Sequence, residues 1–208
     1  MERALSGILL AGGASTRMGT DKALLAVGGL ALATRVARLL AEACDEVIVA
    51  SGDGERLGWL GLLQVADSVP SAGPLAGIVA GLERARHPLA AVVAIDMPFA
   101  SPALLRLLAA RWGGEDAVVP VTGRGPEPLH AVYATAAAPA LRRRLAGPDR
   151  SLRGALAALR VRTVGRDEWA AVDPDEAFAV NLNRPEDLTA SACPPRRPDP
   201  RGRGPRQP

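Results

Sequence analysis

The sequence contains few cysteines, few aromatic residues and no long apolar run. Its two cysteines, Cys44 and Cys193, lack the spacing of a metal site and are too few for a disulfide framework, which argues against a redox role. Aromatic residues make up 3% of the chain, but 48% hydrophobic and 23% charged residues are ordinary for a globular protein. Because neither a secretory leader nor a run of about eighteen apolar residues occurs, we expect a cytoplasmic protein without a membrane partner.

The excess of positive charge is confined to the C-terminal end. The formal net charge is +3, but residues 194–208 carry five arginines and one aspartate, which leaves −1 for the remainder. The remainder therefore gives no indication of a nucleic-acid partner. The same stretch is rich in proline and glycine and has almost no large apolar residue. We therefore predict a single domain over residues 1–192 and a disordered tail over residues 193–208.

Short apolar runs alternate along the chain with helical patterns. Several of these runs are apolar on both faces, as in parallel strands buried between helix layers. The alternation predicts an α/β domain with a three-layer Rossmann-like fold, a mostly parallel sheet and helices on both faces. The predicted strands are Gly7–Ala11, Val47–Ala50, Leu62–Ala66, Ala91–Ile95 and Ala117–Val121, and the predicted helices are Leu32–Ala43, Leu75–Ala85, Pro102–Ala110, Ala136–Ala146 and Ser151–Leu159.

Unusual polar and glycine residues follow three of the predicted strands. Gly12-Gly13 follows the first strand, Asp67 the third and Asp96 the fourth. Ligands of open α/β sheets bind beyond the carboxyl ends of the strands. We therefore expect these residues to face one crevice.

The stretch from Gly12 to Lys22 has the composition of a phosphate-binding loop. Paired glycines allow backbone N–H groups to converge on phosphate oxygens, and Arg17 and Lys22 add positive charge. The loop is not a P-loop, because Thr20-Asp21 separate Gly19 from Lys22, and no dinucleotide fingerprint is present. The alternative is a plain strand-to-helix turn with solvated basic side chains.

The stretch Leu10-Ala-Gly-Gly-Ala-Ser-Thr-Arg-Met-Gly-Thr-Asp-Lys22 resembles the signature of the nucleotidyltransferases, and more narrowly that of the molybdenum cofactor guanylyltransferases. The resemblance extends over about residues 5–190. It implies a nucleotidyltransferase fold and the transfer of GMP from GTP to molybdopterin with release of pyrophosphate. The matching motifs further along the chain are Gly73–Gly77, Asp96–Phe99, Glu127–Tyr133 and Asn181–Leu188.

The resemblance also implies roles for individual residues. Such a reaction needs no protein nucleophile, only alignment of two anions and neutralisation of the charge on pyrophosphate. The implied catalytic residues are Arg17, Lys22 and Asp96, with Asp96 as the ligand of Mg²⁺. The implied nucleotide contacts are Leu10, Ala11, Gly12, Gly13, Lys22, Asp67 and Asp96. The implied acceptor-side residues are His130, Asn181 and Asn183, with a short β excursion over about residues 122–134 that helps to bind the acceptor.

Several of these residues have a purely structural alternative. Asp96 could be a helix N-cap before Pro98, and His130 could be a hydrogen-bonded structural histidine. Asn183 fits an N-cap with Glu186 at the third helical position, and Ser151 is better explained as an N-cap than as a nucleophile.

The resemblance leaves other functions open. The family often has asparagine where Ala50 stands and threonine where Arg184 stands. The first departure weakens one contact to the base or ribose. The alternatives are a cytidylyltransferase of the same cofactor, a sugar-1-phosphate nucleotidyltransferase and a non-catalytic nucleotide-binding module. We also expect transient contacts with enzymes that make or receive the cofactor.

Overall fold

The computed structural model describes residues 3–12, 21–70 and 72–182. The predictions for Gly13, Arg17 and Asn183 lie outside these residues. So do the predicted tail over residues 193–208 and the predicted end of the domain at residue 192.

The described residues form ten strands and six α-helices. The strands are β1 (Leu5–Leu10), β2 (Ala26–Val27), β3 (Leu30–Ala31), β4 (Glu46–Gly52), β5 (Leu63–Ala66), β6 (Leu89–Ala94), β7 (Ala117–Thr122), β8 (Gly125–Pro126), β9 (His130–Ala134) and β10 (Val161–Val164). The helices are α1 (Leu32–Ala43), α2 (Pro74–Arg84), α3 (Pro102–Arg111), α4 (Ala138–Leu145), α5 (Leu152–Ala157) and α6 (Arg166–Trp169).

The main sheet has the order β10-β7-β9-β6-β1-β4-β5, and β8 pairs with β7 beside this path. β1 pairs in parallel with both β4 and β6, while β4 pairs in parallel with β5 and β7 with β10. β9 runs antiparallel to its neighbours β6 and β7. The predicted mostly parallel sheet is therefore confirmed.

The predicted β excursion over residues 122–134 is only partly correct. β8 lies beside β7, but β9 is an internal strand of the main sheet, with Ala131 paired to Val92 and Val132 to Val118. All of β9 is buried. Its side chains are small, β-branched or aromatic and suit a strand covered on both faces. β9 therefore builds the core and does not form an arm toward an acceptor.

The predicted elements are present, and each strand boundary lies within two residues of its predicted place. The predicted helix over Ala136–Ala146 starts as a 3-10 turn, and the α-helix proper is α4. Ser151 accepts a hydrogen bond from the Gly154 N–H over 3.1 Å, which confirms it as the N-cap of α5. The sequence did not predict β10, an edge strand in which Arg162 and Thr163 interrupt the apolar run.

Two helix layers cover the sheet. Leu32, Val36 and Leu40 of α1 and Leu104 and Leu108 of α3 pack in one apolar cluster. Helices α2, α4 and α5 supply a second cluster on the other face, which includes Leu75, Ile78, Leu141 and Ala155. Helices on both faces are as predicted. Among the described residues, no helix combines the length and the apolar character needed to cross a membrane.

Two glycines let α2 lie close to the central strand. A Cβ atom added to Gly81 would lie 2.6 Å from the Cγ2 atom of Ile8, and one added to Gly77 would lie 3.1 Å from the Cδ2 atom of Leu10. Larger side chains would push the helix away from the sheet. The close approach brings the first turns of α2 against the carboxyl end of β1, where the predicted site lies.

Candidate active site

The carboxyl ends of the parallel strands bring the predicted residues together. The Ala11 N–H donates to the Ala50 carbonyl over 2.9 Å, and the Asp67 N–H donates to the Gly52 carbonyl over 3.0 Å. On the other side of β1, the Ile95 N–H donates to the Leu10 carbonyl over 2.9 Å. These bonds join the ends of β5, β4, β1 and β6 into one edge. The predicted convergence of three strand ends is therefore confirmed.

The Asp67 carboxylate lies between two glycines. A Cβ atom on Gly12 would lie 3.5 Å from Asp67 Oδ2, and one on Gly77 would lie 3.6 Å from Asp67 Oδ1. Oδ1 is buried and has no hydrogen-bond partner among the residues that the structure describes. Burial raises the pKa of Asp67. The carboxylate thus offers an unsatisfied acceptor in a gap that glycine keeps free of side chains.

Lys22 and Asp96 form an ion pair. Lys22 Nζ lies 3.1 Å from Asp96 Oδ2, and the two side chains are 16% and 26% exposed. Lys22 begins a 3-10 turn over Lys22–Leu24, which the buried side chain of Ala23 anchors in the core. The two residues are 74 positions apart in the chain, so only the fold brings them together. The pair places one positive and one negative charge beside the end of β6.

Asp96 is not a helix N-cap, so that alternative is wrong. The helix that follows it is α3, and its N-cap is Ser101, whose Oγ accepts a hydrogen bond from the Leu104 N–H over 3.3 Å. Asp96 stands in a turn just beyond β6, held by the fully buried Met97. Its side chain therefore remains available at the edge of the sheet.

Asn181 reaches the site from the far end of the described chain. The Leu182 N–H donates to the Asp96 carbonyl over 2.8 Å, which ties the segment around Asn181 to the turn after β6. Asn181 Oδ1 is buried and lacks a partner within the described ranges. Asn181 thus carries a second unsatisfied acceptor and stands one residue before the backbone bond to Asp96.

His130 has the structural role that the sequence left open. It is fully buried, its Nε2 accepts a hydrogen bond from the Ser101 N–H over 3.0 Å, and its ring packs on Phe178 at a centroid distance of 5.0 Å. Burial lowers its pKa to about 3, so the ring is neutral. His130 Nδ1 also lacks a partner among the described residues, but the whole side chain has no exposed surface, whereas Asp67 and Asn181 are partly exposed. The implied acceptor contact of His130 is therefore not supported.

Leu10 and Ala11 form the floor of the site. The Leu10 carbonyl and the Ala11 N–H are already bonded to neighbouring strands, and the Ala11 carbonyl accepts a hydrogen bond from Arg56 Nη2. Both side chains are buried. The two residues therefore contribute to the shape of the site. The Leu10 carbonyl and the Ala11 N–H and carbonyl, which were expected to contact the nucleotide, are hydrogen-bonded within the protein.

The sequence predicted no role for Arg56 or for Glu127. We call the stretch from Gly12 to Lys22 the glycine loop. Arg56 binds Ala11, just before this loop, and Asp21, near its end. Glu127 lies in the turn before β9, and that turn adjoins the end of β6 because the Ala94 N–H donates to the Leu129 carbonyl. Burial raises the pKa of Glu127, and the charge of Asp96 adds to the rise. The motif around Glu127 carried a signal, whereas nothing near Arg56 distinguished it from the other arginines.

With this geometry established, similarity to known proteins identifies the family. The model of the MobA-like NTP transferase domain matches residues 7–166. The chain belongs to this family. It is 40% identical over 190 residues to a probable molybdenum cofactor guanylyltransferase of Chloroflexus aggregans, with 88% of this chain and 91% of that protein covered. It is 37% identical over 188 residues to the molybdenum cofactor guanylyltransferase of Desulfosudis oleivorans, with 89% and 93% covered.

A solved structure supports the same assignment. The molybdopterin-guanine dinucleotide biosynthesis protein A of Archaeoglobus fulgidus superposes with a TM-score of 0.79 at 27% identity, and 90% of this chain and 96% of that chain are covered. The protein is thus a nucleotidyltransferase of the MobA-like family, and the cluster at the carboxyl edge of its sheet is the candidate active site.

We predict that Asp67→Asn weakens nucleotide binding without lowering stability. Since Asp67 is expected to contact the nucleoside, loss of its charge should reduce affinity roughly 10- to 100-fold. The melting temperature at neutral pH should stay the same or rise, because the raised pKa shows that the ionised carboxylate costs stability there. Any gain in melting temperature should shrink as the pH falls through the pKa of Asp67, since the wild-type carboxyl is then neutral too.

Calorimetry with nucleoside triphosphates and thermal melts over a pH series would measure both effects. The matched control is Asp116→Asn, because hydrogen bonds from Arg160 lower the pKa of Asp116 at the opposite edge of the sheet. That variant should lose stability and keep its affinity for nucleotide. Undiminished affinity in Asp67→Asn would contradict the place assigned to Asp67.

Proposed function

We propose that this protein transfers GMP from GTP to the phosphate of molybdopterin, releasing pyrophosphate and forming the guanine dinucleotide form of the cofactor. The observation that carries the choice of base is the unsatisfied carboxylate of Asp67 between Gly12 and Gly77. Guanine presents an N1–H and a 2-amino group side by side, and a carboxylate can accept both hydrogen bonds. Adenine and cytosine present a ring-nitrogen acceptor at the corresponding position, which would face the negative charge.

The phosphates of the nucleotide are assigned to the other half of the site. Lys22 ends the glycine loop and points its ammonium at the sheet edge, 3.1 Å from Asp96. When a triphosphate enters, Lys22 can donate to phosphate oxygens and neutralise the charge that grows on the leaving pyrophosphate. Gly12 marks the start of the loop, with Gly13 and Arg17 following in the sequence. We assign Gly13 to the phosphates and Arg17 to the same catalytic charge cluster.

Asp96 is the proposed ligand of Mg²⁺. The Lys22 ammonium lies beside Oδ2, so this carboxylate already binds a positive charge. No group of three or more His, Cys, Asp or Glu side chains able to hold a metal occurs in the described part of the chain. A single aspartate can nevertheless serve Mg²⁺, which takes one or two protein carboxylates and completes its coordination with water and phosphate oxygens. When bound, the ion supplies electrostatic neutralisation of the triphosphate.

Molybdopterin, which accepts the GMP group, is assigned to the side of Asp96 that faces away from Asp67. Glu127 lies in the turn before β9, on the side of β6 away from β5, and Asn181, with its unsatisfied Oδ1, precedes Leu182, which bonds the Asp96 carbonyl. Asn183 follows two positions later in the sequence. A pterin carries several N–H donors, and the side-chain oxygens of Asn181 and Glu127 are suited to accept hydrogen bonds from them. We place the reaction in the cytoplasm, with transient handover of the cofactor between enzymes.

The first test is the choice of substrate. Given each nucleoside triphosphate with Mg²⁺, the protein should bind GTP most tightly, and with molybdopterin it should release pyrophosphate from GTP. The preference over ATP and CTP should be about 10-fold or more, because a wrong base leaves a buried acceptor unpaired. A preference for CTP would move the protein to the cytidylyl branch. Turnover with a sugar 1-phosphate but not with molybdopterin would refute the acceptor, and binding without turnover would favour a non-catalytic module.

The second test is the metal ligand. Asp96→Asn keeps the size of the side chain and removes its charge, so we expect at least roughly a 100-fold loss of turnover at ordinary Mg²⁺ concentration. The melting temperature should change little, because a partly exposed ion pair contributes about 0–1 kcal/mol. Titration of Mg²⁺ against rate is the measurement.

Ser151→Ala serves as the stability control for this variant. Loss of the N-cap of α5 should cost about 1 kcal/mol without a specific loss of rate. Near-normal turnover of Asp96→Asn would place the metal elsewhere, with Asp67 as the next candidate.

A further inference from the structure

Arg56 joins the two ends of the glycine loop. Its Nη1 lies 2.6 Å from both carboxylate oxygens of Asp21, and its Nη2 donates to the carbonyl of Ala11. Ala11 is the residue just after β1, and Asp21 stands just before the turn that carries Lys22. A single guanidinium from the β4–β5 connection therefore spans the segment to which we assign phosphate binding.

The backbone around Arg56 is itself held in place. Asp53 Oδ1 accepts hydrogen bonds from the Glu55 and Arg56 N–H groups over 2.9 and 3.0 Å. The next residue, Leu57, is fully buried, and its N–H donates to Gln64 Oε1 over 3.0 Å. These contacts fix the backbone of the turn from which the Arg56 side chain extends.

Asp21 links Arg56 to the turn that contains Lys22. Its Oδ1 also accepts a hydrogen bond from the Ala23 N–H over 3.0 Å, which makes Asp21 the N-cap of the turn over Lys22–Leu24. Burial alone would raise the pKa of Asp21, but hydrogen bonds from Arg56 and Ala23 outweigh it and lower the pKa. The carboxylate therefore stays ionised at neutral pH and can hold both partners. Lys22, one residue further on, meets Asp96.

We propose that Arg56 is a positioning residue of the nucleotide site, which fixes Asp21, and through it Lys22, relative to the end of β1. This inference rests on the proposed function, because it gives Arg56 a task at the same site. A planar guanidinium can bind a carboxylate and a carbonyl at once, whereas a lysine ammonium cannot reproduce that fork. We place the action of Arg56 on Lys22, because Nη1 is committed to the Asp21 carboxylate and Nη2 donates to the Ala11 carbonyl.

A double-mutant cycle tests whether Arg56 acts through Lys22. Arg56→Ala should raise the Kd for GTP with Mg²⁺ roughly 10-fold in the wild-type background, because it displaces the turn that carries Lys22. In the Lys22→Ala background the same change should raise the Kd by about twofold or less. Equal losses in both backgrounds would overturn the proposal, because Arg56 would then contact the nucleotide itself.

Two further variants separate geometry from charge and from folding. Arg56→Lys should lose most of the affinity for GTP that Arg56→Ala loses. Asp21→Asn should cause a similar loss, and the protein that carries both Arg56→Ala and Asp21→Asn should bind GTP no more weakly than either single variant. Full rescue by lysine would show that charge alone matters and would overturn the proposal. Arg86→Ala is the matched control, since Arg86 pairs with Glu46 over 2.7 Å at the amino end of the strands and should keep the wild-type Kd.

Hydrogen exchange tests the proposal without any nucleotide. The Ala23 amide, which Asp21 protects, should exchange several-fold faster in Arg56→Ala than in the wild type. Unchanged exchange would overturn the positioning role. A wild-type protein that binds no GTP would contradict the proposed function, and the exchange rate of Ala23 would still decide the role of Arg56.

Discussion

The parallel register of β5, β4, β1 and β6 is the constraint on which the site depends. Because these strands run in one direction, the residues that follow them emerge at one edge of the sheet. Gly12, Asp67 and Asp96 meet there although long stretches of chain separate them. A slip of one residue would turn every side chain of a strand to the opposite face and take Ile8 and Leu10 out of their contacts with α2. The apolar strands thus fix the site as well as the core.

The two carboxylates at this edge differ in how their charge is balanced. Asp96 is paired with Lys22, whereas Asp67 is partly buried and has an oxygen without a partner in the described part of the structure. An ion pair can reorganise when a metal ion and a triphosphate arrive, because each partner then finds a stronger counter-charge. An unpaired buried oxygen lowers stability until a donor reaches it. Both features fit a site that reaches its best electrostatic balance only with nucleotide bound.

Much of the fold and part of the site could be predicted from the sequence. Buried parallel strands are continuous apolar runs, and residues that follow them stand out as glycine or aspartate, so Gly12, Asp67 and Asp96 were found. The place of β9 could not be predicted, because an apolar run does not reveal which strands flank it. Arg56 was missed because its partners are distant in sequence. His130 lies in a motif, and its burial against Phe178 depends on packing that no local pattern encodes.

The central claim is that GTP binds across this edge, with guanine at Asp67 and the metal ion at Asp96. A crystal structure with GTP and Mn²⁺, used for its anomalous scattering, tests it most directly. The account predicts an anomalous peak within coordination distance of the Asp96 carboxylate, Lys22 turned onto the phosphates and the N1–H and 2-amino edge of guanine on Asp67. Manganese bound away from Asp96, or a guanine edge that does not meet Asp67, would contradict it.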